Sequence, residues 1–151
     1  DTRMRKLADG MAHATFLALA GLKRLGLADR VTSILDPFAF PPAAGQGALA
    51  VTARAGDAAA LAAASLIADP VTSRCAAVER GFLDALDGSC RTAIGAYAAP
   101  LDGEIRFVGE VLTPDGTQRW RAEGVLPLDA DPAEATELGA RLGLPLRGKA
   151  S

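Results

Sequence analysis

The stretch Leu101-Asp102-Gly103-Glu104-Ile105-Arg106-Phe107-Val108-Gly109-Glu110-Val111-Leu112 decides the fold of the second half of the chain. Asp-Gly is a hairpin signal, because both residues tolerate the left-handed backbone that a tight turn demands. A strand pattern over 104–112 follows it, and another, Ala93–Ala98, precedes it. Pro114-Asp115-Gly116 is a second turn signal, after which Gln118–Gly124 reads as a third strand. Helical patterns flank the set. One opens at Val71 or Thr72 and runs to Leu86, with apolar Ala76, Val78, Phe82, Leu83 and Leu86; the other covers Pro132–Leu142. Helix, three antiparallel strands and helix make a small α+β domain of roughly 80 residues.

The first half reads as α/β. Thr2–Leu7 predicts a short helix, capped by Asp1 or Thr2 and stopped by Gly10. The apolar run Ala14–Ala20 predicts a buried strand, and Leu22–Leu27 a second short helix. Asp36–Gly45, rich in Pro and Gly, predicts a rigid connector and candidate hinge. A strand over Ala48–Ala53 and an Ala-rich helix over Asp57–Ala68 follow, with Asp69-Pro70 as a boundary. These pieces hold too few strands for a sheet of their own. The first residue is Asp, not Met, so the chain is expected to be a fragment that starts upstream.

Composition narrows the function. The 151 residues are half apolar, with a formal charge of −2. That argues against a nucleic-acid partner, which calls for a basic stripe. No apolar run reaches the roughly 20 residues of a membrane span, and the N-terminus lacks the pattern of a secretory signal. Cytoplasm is the expected compartment. Two cysteines and one histidine make neither a zinc site nor a disulfide scaffold, so no metal is expected. Cys75 lies in a helical pattern and reads as a small packed hydrophobe. Cys90 lies in the small-residue loop Gly88-Ser89-Cys90-Arg91-Thr92, where a sulfur stays accessible for chemistry. His13 reads as a strand-edge residue without chemistry. Trp120 and Arg121 read as strand residues, one face packed and one in solvent.

Several stretches together resemble the porphobilinogen deaminase (hydroxymethylbilane synthase) family. They are Thr2-Arg3-Met4-Arg5-Lys6-Leu7, Leu17-Ala18-Leu19-Ala20-Gly21-Leu22-Lys23-Arg24-Leu25-Gly26, Gly45-Gln46-Gly47-Ala48, Glu79-Arg80-Gly81-Phe82-Leu83 and Gly88-Ser89-Cys90. The resemblance implies two periplasmic-binding-protein-like lobes and a small third domain, of which this chain is the C-terminal half. Residues 1–40 would finish lobe two. Residues 41–69 would be the hinge and the return segment of lobe one. Residues 70–151 would be the α+β domain that carries the cofactor cysteine.

The implied activity is a transferase reaction of tetrapyrrole (haem and chlorophyll) biosynthesis. It joins four porphobilinogen molecules into hydroxymethylbilane with release of ammonia, in a monomeric full-length protein. Growth occurs on a dipyrromethane cofactor held by a thioether, a role the resemblance gives to Cys90. Arg3 and Arg24 would bind the carboxylates of the cofactor and of the growing polypyrrole, since guanidinium forks suit carboxylates. Gln46 and Gly47 would approach the pyrroles. The catalytic Asp is expected upstream, so no catalytic residue is assigned here and the chain alone is expected to be inactive. Gly88-Ser89-Cys90 stands where Gly-Gly-Cys is common, His13 where the family usually has Asp, and Thr52 where it usually has an acidic residue. A second reading is half of a non-enzymatic two-lobed binding protein for a small anionic ligand. A thiol-redox module is disfavoured by the lack of a Cys-x-x-Cys pair.

Overall fold

The computed structural model describes residues 2–87 and 93–149. The chain divides into two compact units, Asp1–Leu35 and Asp36–Ser151.

The first unit holds α1 (Thr2–Ala8) and α2 (Leu19–Arg24), neither of which has a buried residue. Gly10 stops α1 as expected: its φ is 72°, and the chain turns back through Met11 N–H to Lys6 O at 3.0 Å. The expected strand over Ala14–Ala20 does not form. Residues 14–18 are irregular, and α2 begins at Leu19. An extended segment needs a neighbour for its N–H and C=O groups, and this unit has no strand among the described residues to supply one. His13 accordingly sits in a bend, not on a strand edge. Helix α2 ends at Arg24, earlier than the Leu27 expected, because Leu25-Gly26 forms a left-handed stop. Gly26 has φ 68°, its N–H bonds Lys23 O at 3.1 Å, and Leu27 N–H bonds Leu22 O at 2.9 Å.

The second unit contains α3 (Ala58–Ser65), α4 (Pro70–Ala85), β1 (Ala93–Leu101), β2 (Glu104–Leu112), β3 (Arg119–Pro127) and α5 (Pro132–Gly143). The strands form one antiparallel sheet in the order β1-β2-β3. The helix–sheet–helix reading is therefore met. Asp102 (φ 53°) and Gly103 (φ 86°) close the first hairpin, with Leu101 paired to Glu104. Strand β3 extends to Pro127 because its pairing continues to Glu104; as an edge strand it tolerates a terminal proline. The expected strand over Ala48–Ala53 is absent: residues 49–54 are irregular and pair with no strand of this unit's sheet, and Leu49 is 97% exposed. Helix α3 is shorter than the span expected, and no residue of it is buried.

Both long helices start with Asp-Pro. Asp69 accepts from Thr72 N–H at 2.8 Å and Asp131 from Ala133 N–H at 2.7 Å, while each proline takes the first helical position, where no N–H is needed. Glu134 completes a capping box on α5. One face of the sheet packs on these helices. Ala96, Ala98, Ile105, Phe107, Val111 and Leu126 meet Cys75, Val78, Phe82, Ala135 and Leu138, all buried. Phe82 is fully buried against Phe107, with ring centroids 5.3 Å apart.

Small residues let α4 and α5 touch backbone to backbone. A Cβ on Gly139 would overlap the Val78 carbonyl oxygen and lie 2.7 Å from Phe82 N. Replacing Gly139 with Ala should therefore destabilise the protein by about 1–3 kcal/mol in denaturant melts. Glu137→Ala, on the exposed side of the same helix, should stay within about 0.5 kcal/mol of wild type.

Candidate functional site

Arg3 lies on the exposed surface of α1 and donates from Nη1 to Phe16 O at 3.4 Å. It lines a cleft of about 380 Å³ together with Met4, Leu17, Gly21 and Leu22. Arg24, the last residue of α2, is exposed, its side chain makes no hydrogen bond or ion pair among the described residues, and it is not part of that cleft's lining. The Leu25-Gly26 stop fixes its place at the helix end, where a cation faces the negative pole of the helix. An exposed guanidinium on an apolar cleft, that of Arg3, suits a ligand with a flat organic body and acidic arms.

Gln46 and Gly47 lie in the second unit, exposed on the turn spanning residues 43–48. Gln46 N–H bonds Ala43 O and Ala48 N–H bonds Gly45 O, each at 3.3 Å. Gly47 lines a cavity of about 200 Å³ with Cys75, Glu79, Tyr97 and Ala98; Gln46 does not. Cys90 lies outside the described residues. Cys75 is buried, and desolvation, then the nearby Glu79 and Asp69 charges, push its thiol up to about 11. At neutral pH it is a thiol, consistent with a packing role. Among the described residues no group of His, Cys, Asp and Glu could hold a metal ion.

Two clusters escaped the sequence reading. The first is Glu79, 5% exposed on α4. One carboxylate oxygen accepts Gly45 N–H at 2.7 Å and the other accepts Ala98 N–H at 2.8 Å. Its signal was present: a charged residue one turn after Cys75, on the stripe that carries Val78 and Phe82. The second is Glu110, 8% exposed, which accepts Arg119 Nε at 2.8 Å and lies 3.7 Å from Arg121 Nη1. Arg121 donates to Phe38 O at 2.6 Å and Arg119 to Ala39 O at 3.3 Å. Arg121 thus binds the Asp36–Gly45 segment instead of simply facing solvent, while Trp120 is half-buried, as expected of the packed side.

Residues 1–62 match the family model described as "Porphobilinogen deaminase, dipyromethane cofactor binding domain", and residues 73–148 match "Porphobilinogen deaminase, C-terminal domain". The chain belongs to the porphobilinogen deaminase family. It is 43% identical over 147 residues to the porphobilinogen deaminase of Sorangium cellulosum, covering 97% of this chain and 49% of that protein. It is 45% identical over 152 residues to the porphobilinogen deaminase of Nitrobacter hamburgensis, covering 99% of this chain and 46% of that protein. The chain thus spans about half the length of these curated relatives. The cofactor-binding match takes in Arg3, Arg24, Gln46 and Gly47; the C-terminal match takes in Glu79 and Cys90. Among the described residues, no single helix is long and apolar enough to cross a membrane.

Burial raises the pKa of Glu79 above the ordinary value of 4.5, although the Gly45 and Ala98 N–H groups favour the charged form. The folded protein then holds this proton more tightly than the unfolded chain. The Glu79 contribution to stability should fall as pH rises from about 4.5 through the raised folded value, then level off. Wild-type stability minus that of Glu79→Gln, measured by urea melts across this range, should slope downward. An upward slope would reject this assignment.

Proposed function

We propose that this chain serves as the C-terminal half of a porphobilinogen deaminase, a transferase that joins four porphobilinogen units into hydroxymethylbilane and releases ammonia for tetrapyrrole synthesis. The observation that carries this reading is the ordered pair of family matches over 1–62 and 73–148. The exposed arginines of the first stretch and the Gly88-Ser89-Cys90 sequence of the second support it.

In this proposal Cys90 holds the dipyrromethane through a thioether. When bound, that group supplies the fixed end from which the pyrrole chain grows. Arg3 and Arg24 neutralise acetate and propionate arms, which a protein of net charge −2 can hold only by local pairing. Gln46 and Gly47 offer amide groups to the pyrroles, and Gly47 has no side chain to keep a ligand away. The carboxylate that handles protons would come from residues outside this chain, so the chain alone is inactive. Residues 1–40 complete a second lobe, 41–69 hinge and return to a first lobe, and 70–151 form the domain that carries the cysteine. The whole protein works as a monomer in the cytoplasm, with porphobilinogen and the polypyrrole as its partners and neither nucleic acid nor membrane.

Intact-mass analysis and peptide mapping of the complete gene product should find a dipyrromethane adduct on Cys90, lost in Cys90→Ser. A free Cys90 thiol in active protein, or an adduct that persists in the variant, would overturn the assignment. Arg24→Leu should weaken elongation by about 10-fold or more, as expected when a charged hydrogen-bonding partner is removed. Unchanged elongation would remove Arg24 from the site.

A further inference from the structure

Resting on the porphobilinogen deaminase reading, we infer that Glu79 is a positioning residue whose carboxylate pins the 43–48 turn to β1 and so fixes where Gln46 and Gly47 meet the polypyrrole. The geometry carries this. Glu79 is the one side chain among the described residues that bonds both the turn and the sheet. Its partners lie 34 positions upstream and 19 downstream, and each takes a different carboxylate oxygen. Gly45 has φ 78°, a conformation open to glycine, and its N–H is turned toward the carboxylate.

The turn has a second hydrogen-bonded anchor just before it, Ala96 N–H to Pro42 O at 2.8 Å. Beyond it, residues 49–53 make no hydrogen bond among the described residues. Without Glu79 the turn would keep only the Pro42 hydrogen bond and the packing of Ala44 on the core, neither of which directs the Gly45 N–H or the Gln46-Gly47 backbone that follows it. A carboxamide cannot replace the carboxylate, because its NH2 group would face one of two backbone donors. Four titratable groups bear on the site: Cys75 on the same helix, Tyr97 on β1, Asp69 at the α4 cap and Asp36 at the start of the preceding segment.

Two measurements on the complete gene product test this. The first follows the Gly45 and Ala98 amide shifts against pH in protein labelled with 15N-glycine and 15N-alanine. Both should follow one shared midpoint above the ordinary glutamate range, and that step should vanish in Glu79→Gln. Independent titrations, or none, in the wild type would overturn the inference even if the variant fails to fold. The second is steady-state kinetics of Glu79→Gln, in the variant fraction that melts cooperatively and carries the Cys90 adduct. KM for porphobilinogen should rise about 10- to 100-fold with kcat changed less than about twofold, since a displaced binding group weakens capture before it alters chemistry. Unchanged KM in that fraction would overturn the positioning role. Wild-type protein without a pyrrole adduct would instead sink the functional reading, and the amide titration would still decide whether Glu79 holds the turn.

Discussion

The second unit depends on the close approach of α4 and α5. Their backbones meet because Gly81, Gly139 and Gly143 present no Cβ where the partner helix needs the room. That proximity lets both helices share one face of a three-stranded sheet and bury Phe82 completely between them and β2. A small sheet has little apolar area, so a core of this size requires packing of high density. Gly109 serves the same end from the other side, since a Cβ there would fall 2.5 Å from the Phe82 ring.

The opposite face of the sheet is handled with charge and backbone. Gly95 faces Pro41, Tyr97 meets Phe38 edge-on at 5.1 Å, and Arg119 and Arg121 grip successive carbonyls of the Asp36–Gly45 segment while Glu110 balances them. Two N–H groups on the outer edge of β1 are also used, Ala96 by Pro42 and Ala98 by Glu79. That edge therefore offers fewer free donors to another chain, one of the ways sheets avoid pairing with strangers.

Much of this second unit was legible in the sequence. The Asp102-Gly103 turn, the strand patterns and the two Asp-Pro helix starts encode structure locally, through backbone preferences that do not depend on distant partners. The stretches 14–18 and 49–53 were misread because strand formation depends on a neighbour, and an apolar run carries no information about whether one exists. Phe16 is 78% exposed and Leu49 97%, which a local pattern cannot anticipate. At the candidate site, Arg3 and Arg24 could be picked from motif and charge. Glu79 was harder: it stood inside a recognised motif, but its value comes from two backbone donors that only the fold brings to it.

The segment 36–45 also sets an order of events. Its bonds to β3 span 80 and 83 positions, whereas the β1–β2 hairpin closes through two residues. Closing a long loop has little reward until its landing surface exists. The hairpins can form from contacts near in sequence, the pairing of α4 with α5 closes a longer loop, and the 36–45 segment, whose bonds to β3 span the longest separations, fastens after them.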